Sequence, residues 1–209
     1  MLTNTALVDL HGCALDAATA VVDPLSAQDL ALPTPCAGWS VADLLRHMIG
    51  QHVGFARAVA DGDAELVDFR PLPAEMMEGL VPRWHDSTRT LRAAFAAATG
   101  GEAVRLMEID EERTFELRSV LGIHILDTAV HTWDLATAVG SSFRPDADIL
   151  ACVGQVADQV PGGYARTVTN AFGQPLPADS PDRWIQVLAH LGRSARPPAG
   201  GEDPALLVP

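Results

Sequence analysis

Apolar residues recur at three- and four-residue steps along most of the chain, and this pattern predicts a helical protein. Over residues 5–22, Leu7, Leu10, Leu15, Ala18 and Val22 form one stripe, which ends before Pro24. The segment LPTPCAGW, residues 32–39, is punctuated by Pro33, Pro35 and Gly38 and predicts a rigid loop. Ser40 follows with Asp43 three positions later, a capping box that opens a second helix near Val41. That helix runs to about Ala60 with Leu44, Leu45, Met48, Ile49, Phe55 and Val59 inward, and the run DGD stops it. A third helix is predicted over residues 73–98 through Met76, Leu80, Trp84, Leu91 and Phe95, with Pro82 imposing a kink or a late start.

Residues 103–109 alternate weakly, which fits an edge strand, but the charged run IDEER beside them fits an exposed loop, and the segment is assigned as irregular. A fourth helix spans residues 115–139, with Gly140 as its natural C-cap. A fifth covers residues 147–160 and stops at Pro161, Gly162 and Gly163. Beyond it, turns are mixed with a short helix over residues 182–191, and the Pro-, Gly- and Ala-rich tail from Ser194 reads as loose. The expectation is an all-α bundle of four or five main helices forming one domain over residues 1–193, followed by a tail over residues 194–209.

Composition narrows the chemistry. With 209 residues and 48% hydrophobic content the chain can bury a full core. A net charge of -13 argues against nucleic-acid binding, because phosphate contacts need clustered cations. All 14 basic residues are Arg, so Schiff-base and P-loop lysine chemistry are excluded. Cys13, Cys36 and Cys152 are widely spaced and contain no C-x-x-C pair, which points away from disulfides and cysteine zinc sites and towards a reducing cytoplasm. The N-terminal stretch has no basic n-region and is interrupted by Asp9, His11 and Asp16, unlike a signal peptide, and no apolar run is read as long enough to span a bilayer.

The fourth helix carries the most distinctive pattern. In GIHILDTAVHTWDLATAVG, His124, Asp127 and His131 fall within one narrow stripe at the 3.6-residue period, and this is metal-ligand spacing on a helix. On the second helix His47 lies between core positions Leu44 and Met48, whereas His52 is about 140° further round and belongs elsewhere. Two imidazoles and one carboxylate would leave a position open for water or substrate.

Plainer roles remain open for each residue. His47 can be a hydrogen-bonded core histidine, and Asp127 with His131 a simple i,i+4 pair. Asp43 is read first as a capping residue and second as an acceptor for His47. Asp134 either accepts a proton from the second ring nitrogen of His131 or pairs with an Arg on a solvated face. Trp39, Trp84 and Trp133 read as core and loop packing, with one of them available to wall a pocket. Cys36 has no His near it in sequence and reads as a buried inert thiol.

PTPCAGWSVADLLRHM, residues 33–48, and DTAVHTWDLATAVG, residues 127–140, resemble the two signature segments of the DinB-like metal-binding superfamily. The likeness is to its actinobacterial branch, related to the N-terminal domain of mycothiol-dependent maleylpyruvate isomerase. The ending FGQPLPADSPDRWIQVLAHLGR is also similar to that branch. The resemblance implies a DinB-like four-helix bundle, here with an additional helix and an irregular C-terminal segment. It implies a divalent metal, usually zinc or nickel, held by His47, Asp127 and His131. The resembled isomerase has Glu where this chain has Asp127, so the shorter side chain must approach the ion more closely, and His124 one turn earlier is available to supplement it. That isomerase also carries a separate catalytic C-terminal domain with no counterpart expected in this length of chain, so isomerisation of maleylpyruvate is not carried over.

The functional expectation is a cytoplasmic, divalent-metal-binding protein, with zinc first and nickel or iron as alternatives. It would act as a metal-dependent thiol transferase or isomerase on a small electrophile, with mycothiol as cosubstrate. The alternative is a non-catalytic metal- or ligand-binding module, and a third reading is a metal-free structural bundle. The expected partners are a small ligand or thiol and a second copy in a homodimer, with neither nucleic acid nor membrane. No catalytic residue is assigned.

Overall fold

In the computed structural model, Thr3 opens the first helix: its hydroxyl accepts from Ala6 N, and α1 runs over Asn4–Val22. The structure describes residues 3–76, 79–101, 103–161 and 172–195. The loose tail expected from Ser194, and the turns expected over residues 164–171, lie outside this set apart from residues 194–195. The chain divides into two compact units, residues 1–159 and 160–209.

The first unit is a helical bundle of α1, α2 (Val41–Asp61), α3 (Leu80–Ala97) and α4 (Leu117–Ala138), with α5 (Ala147–Ala157) added against α4. Among its helices, α1 packs on α4 and α3, and α2 on α3 and α4. One end of the core gathers Val22, Val41, Leu44, Leu45, Met48, Trp84 and Leu135, all buried. The buried side chains of α4 are spread around its whole circumference, from Leu117 to Ala136, so this helix has no solvated face over most of its length. Any polar group it carries is therefore costly unless paired.

Ser40 and Asp43 form the capping box that the sequence announces, and Arg46 pairs with Asp43 at 3.0 Å. Asp43 is thus a capping residue. The third helix begins later than the apolar pattern suggests: a 3-10 turn occupies Ala74–Met76, and α3 starts at Leu80. Pro82 then sits in the first turn, where its missing N–H would have had no helical partner. The segment Leu66–Phe69 lies against α2 at two glycines. A Cβ at Gly50 would run into the Arg70 carbonyl, and one at Gly54 into the Phe69 ring.

Residues 103–109 are not irregular throughout. Ala103–Leu106 is β2, the centre of a three-stranded sheet between β1 (Asp63–Ala64, parallel) and β3 (Thr114–Glu116, antiparallel). Val104 and Leu106 are fully buried, so the weak alternation was a real strand signal. β3 pairs Phe115 with Val104 and passes directly into α4 at Leu117. A second departure concerns α1. It is 19 residues long with an 18-residue stretch of mean hydropathy 1.3, and by length and composition alone it could cross a membrane, contrary to the expectation for apolar runs. Its inward face, including Leu15, Ala18 and Val22, is packed inside the bundle.

In the second unit, α6 (Arg183–His190) is capped by Asp182, whose carboxylate accepts from Trp184 N at 2.8 Å. Arg193 lies over the Phe172 ring at 5.7 Å, and His190 Nε2 donates to the Val160 carbonyl at 3.1 Å.

Candidate metal centre

Two elements deliver the three candidate ligands. α2 presents His47 just beyond its capped first turn, and α4 presents Asp127 and His131 one turn apart. One ligand atom from each comes together within 4.8 Å of the others. The His131 Nε2 atom lies 3.3 Å from Asp127 Oδ1, and the His47 and His131 rings meet edge to face with centroids 5.2 Å apart. Trp39 tilts against His47 with ring centroids 4.9 Å apart, so the tryptophan borders the site as well as belonging to its loop.

The second nitrogen of His131 is anchored. Asp134, fully buried, places Oδ2 3.1 Å from Nδ1. This is the acceptor role of the two that sequence left open, and it directs the Nε2 lone pair towards Asp127 and His47 when the ring is neutral. Cys36, which has no His near it in sequence, meets one in space and is half-buried. Its S–H donates to Asp134 Oδ2 at 3.2 Å, and Sγ lies 3.9 Å from His131 Nδ1. No sequence signal marked this contact, because 95 residues separate Cys36 from His131.

Burial and charge act in opposite directions here. Burial pushes His47 down to about 4, with Asp127 opposing and His131 reinforcing the shift. For His131 burial also favours the neutral ring, but the Asp127 charge and hydrogen bonds from Asp127, Asp134 and Cys36 outweigh it and raise the group well above its ordinary value. Burial would raise Asp127, yet His131, by charge and by hydrogen bond, and then His47 and His124 hold it below the usual carboxylate range. At the margin of the site Gln51, one turn beyond His47, donates to Glu108 at 3.1 Å. Burial raises the Glu108 carboxyl, Gln51 opposes that, and Asp127 adds to it.

His124 does not join this group. It lies deeper and belongs to a separate set with His11 of α1 and His52 of α2. His11 Nε2 is 3.1 Å from His124 Nδ1, Thr128 Oγ1 is 3.1 Å from the same nitrogen, and His52 Nδ1 is 2.9 Å from Ser87 Oγ. The His124 ring is wholly buried against Phe55, and its Nε2 has no partner. His52, as its angular position on α2 required, is in this inner set. Burial lowers all three: His11 and His52 fall well below the ordinary range and His124 to about 4.

The donors thus fit a cation of borderline softness: two imidazoles and a carboxylate, already close, with one nitrogen oriented from behind. The family model described as the mycothiol maleylpyruvate isomerase N-terminal domain matches residues 11–136, a span that includes all of these side chains. The chain belongs to that family. The uncharacterized proteins MT0763 and Rv0738 of Mycobacterium tuberculosis are each 28% identical to this chain over 189 residues, covering 89% of it and 97% of the relative. The crystal structures of the mycothiol-dependent maleylpyruvate isomerase and of a mutant of it share the fold, with a TM-score of 0.58 at 12% identity over 75% of this chain and 68% of theirs.

Proposed function

We propose that His47, Asp127 and His131 hold a divalent ion, zinc first and nickel or iron as alternatives. We further propose that the protein uses the filled site to present a low-molecular-weight thiol, of the mycothiol kind for which its family is named, to a small electrophile. The observation that carries the reading is the convergence of the three ligand atoms from two helices within 4.8 Å.

The side chains divide the work. His47 is held neutral by burial, so its lone pair is available without loss of a proton. Asp134 holds the Nδ1 proton of His131 and leaves Nε2 to face the site. Asp127 remains ionised and balances one charge of a dication, so the filled site carries one net positive charge that a thiolate neutralises. Trp39 restrains the His47 ring and keeps bulk water from one side of it. When bound, the ion supplies a Lewis-acidic position at which a thiol binds as thiolate near neutral pH.

The test is elemental analysis of untagged protein prepared without added metal, beside a His47→Ala, His131→Ala double variant. Cobalt substitution and thiol addition follow in a Cys36→Ala background, so that only the added thiol supplies sulfur. Near-stoichiometric metal that disappears in the double variant, with new thiolate absorption on thiol addition, supports the reading. No metal after incubation with zinc, nickel and iron overturns it. Metal without a spectral response to thiol overturns the thiol half and leaves a metal-binding module.

A further inference from the structure

His131 offers a nitrogen on each edge of its ring, and the proposed ion uses only one. On the Nδ1 edge, Cys36 Sγ, His131 Nδ1 and Asp134 Oδ2 form a triangle with sides of 3.1, 3.2 and 3.9 Å. Zinc bonds of about 2.3 Å to sulfur and about 2.0–2.1 Å to nitrogen and oxygen, at tetrahedral angles, separate the ligands by about 3.3–3.6 Å. Each observed side lies within about 0.3 Å of that range, so small side-chain adjustments suffice.

The protons tell the same story. The Cys36 S–H and the His131 Nδ1–H both point at one oxygen, Oδ2 of the fully buried Asp134. Two hydrogens converging on a single carboxylate oxygen occupy the place where a cation would sit. The loop that carries Cys36 is also fixed before any ion arrives. Thr34 Oγ1 accepts from Cys36 N at 3.2 Å, Trp39 N donates to the Cys36 carbonyl at 3.0 Å, and Thr34 N donates back to the Trp39 carbonyl at 2.9 Å. Pro33 and Ser40 bridge the two ends of the loop.

We infer that Cys36 Sγ, His131 Nδ1 and Asp134 Oδ2 form a second, thiolate-containing site for a thiophilic divalent cation such as zinc or cadmium, on the edge of His131 opposite His47 and Asp127. Binding displaces the thiol proton and the Nδ1 proton, and the thiolate and carboxylate then balance the two charges of the cation. His131 keeps its Nε2 proton, donated to Asp127. A neutral imidazole has one lone pair, so His131 serves one edge at a time and the two sites compete for it. The Cys36 site does not depend on His47 as a ligand, and it takes up an ion when the site formed with His47 is empty.

The test uses the full chain with Cys13→Ser, Cys152→Ser and His47→Ala, which leaves Cys36 as the sole thiol and disables the competing site. Titration with cobalt under a phosphine reductant is expected to give the near-ultraviolet absorption of a cobalt-thiolate bond, and adding Cys36→Ala is expected to abolish it. Absence of that absorption, or its survival without Cys36, overturns the proposal. A second measurement needs no substitution in the loop: in the otherwise native chain carrying only His47→Ala, zinc should slow alkylation of Cys36 by about tenfold or more, read by mass spectrometry. Alkylation at an unchanged rate in saturating zinc counts against the site. Metal content of the Cys36→Ala protein reports separately on the His47 site, so either site can fail without the other.

Discussion

The bundle holds two groups of imidazoles, and what separates them is the carboxylate. Around His131, Asp127 and Asp134 lie 3.3 and 3.1 Å from its two nitrogens and raise the ring well above its ordinary value. Around His124 the nearest polar atoms are another imidazole and a threonine hydroxyl, and burial keeps the ring neutral at pH 7. His124 and His131 both sit on α4, seven residues apart. The same residue type on one helix thus becomes either part of a charge-bearing pair or a neutral packing element, according to whether an acid lies within hydrogen-bond reach.

The largest expected effect tests the carboxylate-rich group. His131→Ala removes the one side chain common to both proposed sites and should weaken divalent binding by more than about a hundredfold, since loss of an outer partner alone costs about 10–100-fold. Titration with zinc against a competing chelator measures it. Replacing His124 by Leu should leave that affinity within a few-fold, and an equal loss in the two variants would erase the distinction.

Acid separates the groups next. The unfolded chain binds protons on His11, His52 and His124 near 6.5, while the folded chain refuses them, His124 down to about 4. Stability of the metal-free protein should therefore fall as pH drops through the window from about 6.5 to 4, by about 2 kcal/mol per imidazole at pH 5. His124→Leu should flatten that fall in denaturant melts by about one imidazole's share. His131 has the opposite sign, for its folded value is raised: its contribution is complete below 6.5 and is lost as pH rises through the folded value. A His131 variant should therefore lose that contribution over the acid side, lowering its level without changing its slope, and lose the fall on the alkaline side.

Asp134→Asn keeps an acceptor near Nδ1 but removes its charge. Metal affinity at the His47 site should fall by about tenfold, and the helical signal should persist. The smallest effect is local: Ser40→Ala breaks the capping box of α2 and should lower stability by about 1 kcal/mol without changing metal stoichiometry. A loss of metal in that variant would show that the placement of His47 depends on the cap.

Much of this arrangement was legible in the residues. The limits of α1, α2 and α6 follow from caps and breakers within one or two positions, because Pro24, Ser40, Gly62 and Asp182 act locally. The sheet was legible only as the weak alternation at β2, since strands of two to four residues are too short to establish a period against a charged neighbour. Angular position alone excluded His52 from the His47 group, and the structure agrees. It misled at His124, which shares a stripe with His131 but lies about 10 Å from it along the axis, too far for one ion. The meeting of Cys36 with His131 and Asp134 depends on tertiary packing across more than ninety residues, and no spacing rule reaches that far.

The passage of β3 into α4 without a linker has a mechanical consequence. The pairing of Phe115 with Val104 sets the rotational phase of α4, as a key sets a shaft. A slip of one residue in that short ladder would turn the helix by about 100° and carry Asp127 and His131 away from His47 while leaving every helix intact. The small sheet at the edge of an all-helical bundle is thus its timing mark, and a change far from any ligand, at Val104 or Phe115, is able to put the centre out of phase.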